Sequence, residues 1–95
     1  MRTIDWSNTV KRDYRRALAN PRHARDVEQR LEEVVTLLAA DRALPESCRD
    51  HALVSNWKGY RECHVKPDLL LIYRKEGEDV LRLARLGSHA ELFNL

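Results

Sequence analysis

The chain has 95 residues, of which 43% are hydrophobic and 34% are charged, and its 17 basic and 15 acidic side chains give a formal net charge of +2 at pH 7. This length predicts a single domain over residues 1–95 with one modest core, because so short a chain buries only about 60–65% of its unfolded surface. The charges are mixed along the chain, which excludes a basic half and an acidic half, and the longest apolar run, residues 69–73, is too short to span a bilayer.

The first half of the chain is predicted to form a short strand and then a helical hairpin. Residues 3–6 suit a strand, Ser7 suits a helix N-cap, and apolar residues at helical spacing then predict a helix to Asn20. Pro21 interrupts this pattern but is accepted in a first helical turn, so a second helix is expected from there to about Ala40. Its apolar stripe should pack against the first helix and consists of Val27, Leu31, Val34, Val35 and Leu38.

The second half is predicted to be mostly β-structure. Residues 41–50 lack periodicity and indicate a loop, and strands are expected over residues 60–66, 69–74 and 79–86. The middle strand is almost entirely apolar, which is typical of a central strand covered on both faces. Ser88 is suited to cap a final helical turn through Phe93. The order βααβββ predicts an α+β fold in which a two-helix hairpin packs on a small, mostly antiparallel twisted sheet.

Three of the four histidines lie in the stretches 50–68 and 82–93. Strand alternation places His64 on a polar face with Glu62 and Lys66, so we expect it to be exposed, and an exposed strand histidine is more often solvated surface than a catalytic group. His51 is expected in a loop without further context. His89 follows a predicted strand end, where a helical turn can hold it rigidly.

Arg85 conflicts with the alternation of its strand, which places it with Leu81 and Leu83 on the side that faces the core. Either the strand end splays near Gly87, or a bulge turns the guanidinium outward. Phe93, the only phenylalanine, is either an apolar anchor for the C-terminal segment or a platform on which a base stacks.

Neither a metal nor a cofactor is expected. Cys48 and Cys63 are too few for a disulfide framework and lack the spacing of a zinc site, so both are predicted to be reduced thiols. The first residues also lack the apolar segment of a secretion signal, and a cytoplasmic protein is therefore expected. Residues 11–25 carry six cations and a single acid, Asp13, a cluster that suits either a phosphate backbone or a solvated helix face.

Two motif-rich stretches resemble the YafQ branch of the RelE superfamily, the toxins of type II toxin–antitoxin modules. Residues 50–68 read D-H-A-L-V-S-N-W-K-G-Y-R-E-C-H-V-K-P-D, and L-L-L-I-Y and then R-L-A-R-L-G-S-H-A-E-L-F follow. The similarity covers essentially the whole chain, and the motifs D-H-x-L, W-x-G-Y-R-x-x-H-x-x-P-D and R-x-G-x-H-x-x-L-F are specific to this branch. The resemblance implies metal-independent cleavage of messenger RNA in the ribosomal A site, next to ribosomal RNA, and a cognate antitoxin that silences the toxin.

The resemblance also implies which residues form the site. Those of the catalytic surface are His51, His64, Asp68, Arg85 and His89. Phe93 is expected to help place the RNA, and further RNA contacts are expected from Arg61, Lys66 and Arg82. Leu69 departs from the family pattern, because many relatives carry Trp directly after the Pro-Asp pair, so a stacking contact that bears on codon preference is absent here.

These residue types predict a reaction in which a 2′-hydroxyl attacks the adjacent phosphorus, which leaves a 2′,3′-cyclic phosphate or its opened 3′-phosphate and a 5′-hydroxyl. We favour His89 for protonation of the leaving group, with His64 or Asp68 at the base end and Arg85 on the phosphorane. Two alternatives stay open at this point: a non-nucleolytic toxin similar to ParE that acts on DNA gyrase, and an RNA-binding module that uses the cations of residues 11–25.

Overall fold

The computed structural model of the protein describes residues 1–93 and confirms the predicted α+β fold. The elements in chain order are β1 (Thr3–Trp6), α1 (Asn8–Ala19), α2 (Val27–Ala39), β2 (His51–Ala52), β3 (Arg61–Lys66), β4 (Leu69–Glu76), β5 (Val80–Gly87) and α3 (His89–Phe93). The predicted domain extends two residues beyond this range. No helix within residues 1–93 combines the length and the apolar character needed to cross a membrane.

The strands of residues 1–93 form one mixed sheet in the order β1-β5-β4-β3-β2. β1 runs parallel to β5, and the remaining neighbours are antiparallel, as the sequence predicts. β4 lies at the centre, and its first five residues are buried, which confirms the interpretation of its apolar run as a strand covered on both faces. β1 pairs with β5 only as far as Leu83, so the residues of β5 after Leu83 lie at an edge of the sheet.

Helix α1 begins where its N-cap was predicted. The Ser7 hydroxyl accepts a hydrogen bond from the backbone N–H of Val10 at 3.0 Å and donates one to the carbonyl oxygen of Ala84 at 3.2 Å. The first bond satisfies a backbone donor that the first turn of a helix leaves free. The second bond ties the start of α1 to β5, so the cap also fixes the helix relative to the sheet.

Helix α2 begins six residues later than predicted, at Val27 rather than Pro21. The side-chain oxygen of Asn20 accepts a hydrogen bond from the backbone N–H of Arg22 at 2.9 Å, which stabilises a turn in place of a helix. Asp26 then adopts a φ of 62°, a left-handed conformation that an α-helix cannot include. The stripe predicted for α2 is buried, as expected.

The β-half differs from its prediction mainly at His51, which lies in a short strand rather than in a loop. His51 and Ala52 form β2 and pair antiparallel with Glu62 and Arg61 of β3. A strand of two residues has no periodicity that a sequence pattern can reveal. The other predicted strands are present with shifts of one or two residues at their ends.

The two faces of the sheet carry different side chains. Helices α1 and α2 cover one face, which we call the helix-covered face, and its buried strand residues are Cys63, Val65, Leu69, Leu71, Tyr73, Leu81, Leu83 and Leu86. The opposite side, the open face, has a small cluster of buried residues, Leu70, Ile72 and Leu92, the last from α3. The hydrophobic core therefore lies almost entirely on the helix-covered face, which leaves the open face available for a site.

Candidate functional site

Two cross-strand rows on the open face bring together residues that are distant in sequence. In the first row His51 is opposite Glu62, Glu62 is opposite Ile72, and Ile72 is opposite Arg85. In the second row His64 is opposite Leu70, and Leu70 is opposite Gly87, two residues before His89. Residues directly opposite one another share a face. Since neighbouring strands are about 4.8 Å apart, the Cα atoms of His64 and Gly87 are about 10 Å apart across β4.

His51 lies between two oxygen acceptors. Its Nδ1 is 2.7 Å from the carbonyl oxygen of Arg49, and its Nε2 is 3.4 Å from Oε1 of Glu62. The Glu62 side chain is only 3% exposed, so the face predicted to be polar and solvent-exposed at His64 includes a buried carboxylate. The two acceptors, one on each side of the ring, therefore fix the orientation of the His51 imidazole.

His64 is half-buried rather than exposed, and a turn holds its ring. Nδ1 of His64 is 3.2 Å from the carbonyl oxygen of Pro67. His64 also lines a cleft of about 380 Å³, whose other walls include Arg30 of α2 and Val65 and so lie toward the helix-covered side. When Nδ1 carries the proton and hydrogen-bonds to the Pro67 carbonyl oxygen, Nε2 is left as an acceptor.

Asp68 is exposed in the turn between β3 and β4 and lines a smaller cleft of about 260 Å³ with Arg22 and His23. Lys66 and Pro67 line this cleft and the cleft at His64, so the two lie side by side. Among residues 1–93 no hydrogen bond joins Asp68 to a histidine. The carboxylate is therefore near the site but does not orient a ring there.

A bulge in β5 resolves the conflict at Arg85. The pairing shifts between Ile72 and Tyr73, so that Arg85 is opposite Ile72 on the open face, and β5 stays paired as far as Gly87 without splaying. The guanidinium then reaches around the edge of β5 to Asp13 of α1, with Nε 2.8 Å from Oδ2 and Nη2 3.3 Å from Oδ1. Asp13 also accepts a hydrogen bond from the backbone N–H of Leu86 at 2.9 Å.

Asp13 is a buried polar residue, whereas the sequence pattern indicates it only as the single acid among the cations of residues 11–25. The residue is 3% exposed, and its carboxylate joins α1 to the strand that carries Arg85. A signal for it exists in the sequence, because Asp13 follows Val10 by three positions and precedes Ala17 by four, which places it on the buried stripe of α1. A carboxylate on such a stripe needs a partner, and Arg85 provides the opposite charge.

Helix α3 holds His89 at a fixed place beside the second row. Its start is a capping box, as the predicted Ser88 cap suggests: the Ser88 hydroxyl accepts from the backbone N–H of Glu91 at 3.1 Å, and Glu91 accepts from the backbone N–H of Ser88 at 2.9 Å. That backbone bond lowers the pKa of the Glu91 carboxyl. His89 is exposed, and its ring centroid is 5.2 Å from that of Phe93, one turn later.

Gly87 allows this helix to pack closely on the sheet. A Cβ atom at Gly87 would lie 3.2 Å from Cδ2 of Leu92 and 3.3 Å from Oε1 of Glu91, which is tighter than ordinary contact. Leu92 itself is buried in the open-face cluster. The glycine therefore keeps α3, and with it His89, close to the row of His64.

The structure separates the three cations predicted to contact RNA. Arg82 is opposite Arg74 on the open face and lies 3.2 Å from Asp5 and 2.9 Å from Glu76. Arg61 is opposite Tyr73 on the helix-covered face, away from His64, and its side-chain hydrogen bond to Asp50 raises its pKa.

Lys66 does not direct its ammonium toward the open face. Its Nζ donates to the carbonyl oxygen of His23 at 3.1 Å and also to that of Arg25. The pairing of β3 is irregular between His64 and Lys66, which breaks the alternation that would place both side chains on one face. Lys66 thus connects β3 to the segment between the two long helices.

The cysteines and acidic residues offer no alternative chemistry in the part of the chain that the structure describes. Cys48 and Cys63 are free, and burial raises the pKa of both thiols, which disfavours the reactive thiolate. Within residues 1–93, no group of three or more His, Cys, Asp or Glu side chains could hold a metal ion.

Comparisons with known proteins agree with the motifs of the site. Residues 2–94 match the family model for the bacterial toxin of the type II toxin–antitoxin system, YafQ. The mRNA interferase toxin YafQ of Escherichia coli strain B / BL21-DE3 is 43% identical over 93 residues, which cover 97% of this chain and 96% of that protein.

Solved structures of relatives have the same fold over nearly their full length. A copper-bound mutant toxin from Helicobacter pylori gives a TM-score of 0.89 at 39% identity, over 98% of this chain and 100% of that chain. The toxin in the E. coli DinJ-YafQ complex gives a TM-score of 0.82 at 40% identity, over 98% of this chain and 99% of that chain.

Proposed function

Because the chain belongs to the YafQ family of toxins from bacterial type II toxin–antitoxin systems, we propose that it is an endoribonuclease that cleaves messenger RNA in the A site of the ribosome. The observation that supports this function best is the pair of cross-strand rows on the open face, which bring His51, His64 and His89 to one side of the sheet. Imidazoles transfer protons near neutral pH, and RNA supplies its own nucleophile in the 2′-hydroxyl.

His64 is the general base in this mechanism. The Pro67 carbonyl at 3.2 Å favours the tautomer with its proton on Nδ1, so Nε2 is free to accept the proton of the attacking 2′-hydroxyl. The 2′-oxygen then bonds to phosphorus, and the bond from phosphorus to the 5′-oxygen of the next nucleotide breaks. Asp68 lacks a comparable contact to a ring and contributes negative charge near the base rather than accepting the proton.

His89 is the general acid. It is exposed at the start of α3, beside the β5 end of the row that contains His64, and the capping box fixes its backbone. A protonated His89 gives its proton to the departing 5′-oxygen, so that the products are a 2′,3′-cyclic phosphate and a 5′-hydroxyl. The separation of base and acid across β4 leaves room for one phosphodiester between them.

Positive charge for the phosphorane comes from the first row, at Arg85. His51, in the same row, is positioned between Glu62 and the Arg49 carbonyl oxygen and faces the same side of the sheet. Arg85 uses Nε and Nη2 for Asp13, and its Nη1 is the nitrogen we assign to a non-bridging phosphate oxygen. This electrostatic support needs no metal ion.

Besides the message, two partners belong to this proposal: a cognate antitoxin protein and the ribosomal RNA of the small subunit. The complex of the E. coli relative with DinJ supports the first of these. The cations of α1 support the second, since Lys11, Arg12 and Arg15 are exposed on the side of the molecule away from the sheet. We place the protein in the cytoplasm, where ribosomes and reduced thiols occur together.

Primer extension on ribosomes programmed with a defined message tests this function. We expect cuts within the A-site codon that persist in EDTA, carry a 5′-hydroxyl downstream, and vanish when the attacking nucleotide is 2′-deoxy. Free message in the same buffer should remain intact. An uncut message under all conditions, together with inhibition of gyrase supercoiling by the same preparation, would show that the function is that of the ParE-like alternative.

A further inference from the structure

A pocket on the open side of the molecule lies between the β2–β3 connection and α3. Its volume is about 380 Å³, and it is lined by residues 53–57 together with Leu92 and Phe93. Leu53, Trp57 and Phe93 are partly buried against the open-face cluster, so the walls are anchored to the sheet. This volume is within the range of small-ligand sites, roughly 300–1,000 Å³.

The pocket has apolar walls and a polar rim. Trp57 and Phe93 contribute aromatic rings, whereas Ser55 and Asn56 are exposed and carry groups that donate and accept hydrogen bonds. Val54, 77% exposed, adds apolar surface at the opening. None of the lining residues is charged, in contrast to the cleft at His64 with Arg30, Arg49 and Lys66. With aromatic walls and no charge, this pocket suits an uncharged planar group.

The pocket is next to the proposed general acid. Phe93 forms one wall, and its ring centroid is 5.2 Å from that of His89. His89 protonates the 5′-oxygen of the nucleotide that follows the cut. The base of that nucleotide is attached to the same sugar, so it lies within reach of a pocket that starts one ring away from His89.

We propose that this pocket binds the base of the nucleotide immediately 3′ of the cleaved bond, and that Asn56 reads the edge of that base. This inference rests on the proposed endoribonuclease function. Proteins recognise single-stranded RNA by stacking unpaired bases on aromatic rings and by hydrogen bonding to base edges. The Asn56 amide has both a hydrogen-bond donor and an acceptor, so it distinguishes one base edge from another. The rings of Trp57 and Phe93 can stack on any base.

Ser55 supports the proposal through its backbone. Its φ of 57° is in the left-handed region, which is unfavourable for a residue with a Cβ atom. Such conformations cluster at ligand-binding sites, where the surrounding contacts hold them. Here the strained residue lies directly before Asn56, at the rim of the pocket.

Single-turnover cleavage tests this pocket. Four ribosome-bound messages are compared, and they differ only in the base of the nucleotide immediately 3′ of the cleaved bond. We expect the wild-type protein to cleave one or two of these messages much faster than the others. Asn56→Ala should narrow the ratio between the best and the poorest base by about 5- to 100-fold, the range for losing one good base contact. Asn8→Ala, at an exposed position in the first turn of α1, is the matched control and should keep the wild-type ratio.

A message whose 3′ nucleotide lacks its base tests whether Asn56 acts through contact with that base. If Asn56 reads this base, Asn56→Ala and wild type should cleave the abasic message at equal rates. An equal effect of Asn56→Ala on abasic and intact messages would overturn the proposal. So would a wild-type protein that cleaves all four messages at the same rate.

Stacking is measured without cleavage by placing 2-aminopurine at the 3′ nucleotide and a 2′-O-methyl group on the attacking sugar. Ribosome-bound wild-type protein should change the fluorescence of this base, and Phe93→Leu should abolish the change while the protein remains folded by circular dichroism. A wild-type protein that cuts message but leaves the fluorescence unaltered would refute the pocket alone. A wild-type protein that cuts no message would instead refute the endoribonuclease function on which the pocket depends.

Discussion

The two faces of the sheet use the same strands for different purposes. On β4, Leu69, Leu71 and Tyr73 face the helices and join a continuous apolar core, whereas Leu70 and Ile72 face the open side, between the histidines of β2 and β3 and the residues of β5. Alternation of side chains makes this division possible, because each strand contributes to both faces. Stability and chemistry are therefore separated by parity along the strands rather than by position in the chain.

Leu71→Ala tests the helix-covered side of this comparison and should have the largest effect on stability. Leu71 is 0% exposed at the centre of the core, and the cavity left by such a truncation typically costs about 2–5 kcal/mol in the free energy of unfolding. Chemical denaturation measures this loss. Leu18→Ala, at a position that is 42% exposed on α1, is the control and should change stability by less than about 0.5 kcal/mol.

Asp13→Asn should affect both faces, since Asp13 lies in α1 and its partner Arg85 belongs to an open-face row. Loss of the buried carboxylate should lower the free energy of unfolding by about 1–3 kcal/mol. The cleavage rate of folded protein should also fall by about tenfold or more, because Arg85 loses the contact that orients it. Denaturation and single-turnover cleavage measure the two effects on one preparation.

Asp5→Asn provides the matched control for that prediction. Asp5 also pairs with an arginine of β5, Arg82, but both side chains are more than 40% exposed. Exposed pairs contribute little, so stability should change by less than about 1 kcal/mol. If Asp13→Asn leaves cleavage by folded protein at the wild-type rate, Arg85 does not act through Asp13, and the two faces are independent at this point.

Ser88→Ala should have the smallest effect, because it removes one hydrogen bond of the cap on α3. N-cap losses cost about 0.5–2 kcal/mol, and a helix of five residues should show this as faster amide exchange from Glu91 to Phe93. Hydrogen exchange detected by NMR provides the measurement. Unchanged exchange in α3 would mean that packing of Leu92 alone holds His89 in place.

The same cap should depend on pH. The pKa of Glu91 is lowered from its ordinary value of 4.5, chiefly by the backbone N–H of Ser88. A lowered carboxyl pKa contributes stability that is present above the unfolded value and is lost as the pH falls through the folded value. The protection factors of the α3 amides, which are corrected for the intrinsic pH dependence of exchange, should therefore fall below pH 4.5 in wild type and less so in Glu91→Gln.

Much of the fold was predictable from local pattern, because helix and strand periodicity depend on near neighbours in the sequence. The start of α2 was not, since a side-chain bond from Asn20 and the left-handed Asp26 replace the helical turn expected after Pro21. The short strand at His51 depends on a partner 11 residues away and has no local signature. The boundaries that failed are thus set by contacts that periodicity does not encode.

The site shows the same division. The resemblance identified the histidines as a set, but the burial of Glu62 beside His51 and the bond of Arg85 to Asp13 depend on strand register and on a bulge. The position of Lys66 likewise depends on an irregularity in β3. Bulges move side chains from one face to the other, and the residues around them are therefore the ones that alternation misplaces.

The most direct test is single-turnover cleavage of a ribosome-bound message by wild type and His89→Ala, with denaturant unfolding measured on the same samples. His89 is exposed on the open side, so we predict unchanged unfolding and a cleavage rate lower by about 10²–10⁴-fold, the usual loss for one proton-transfer group. Wild-type cleavage by a folded His89→Ala protein would contradict the assignment of chemistry to the open face.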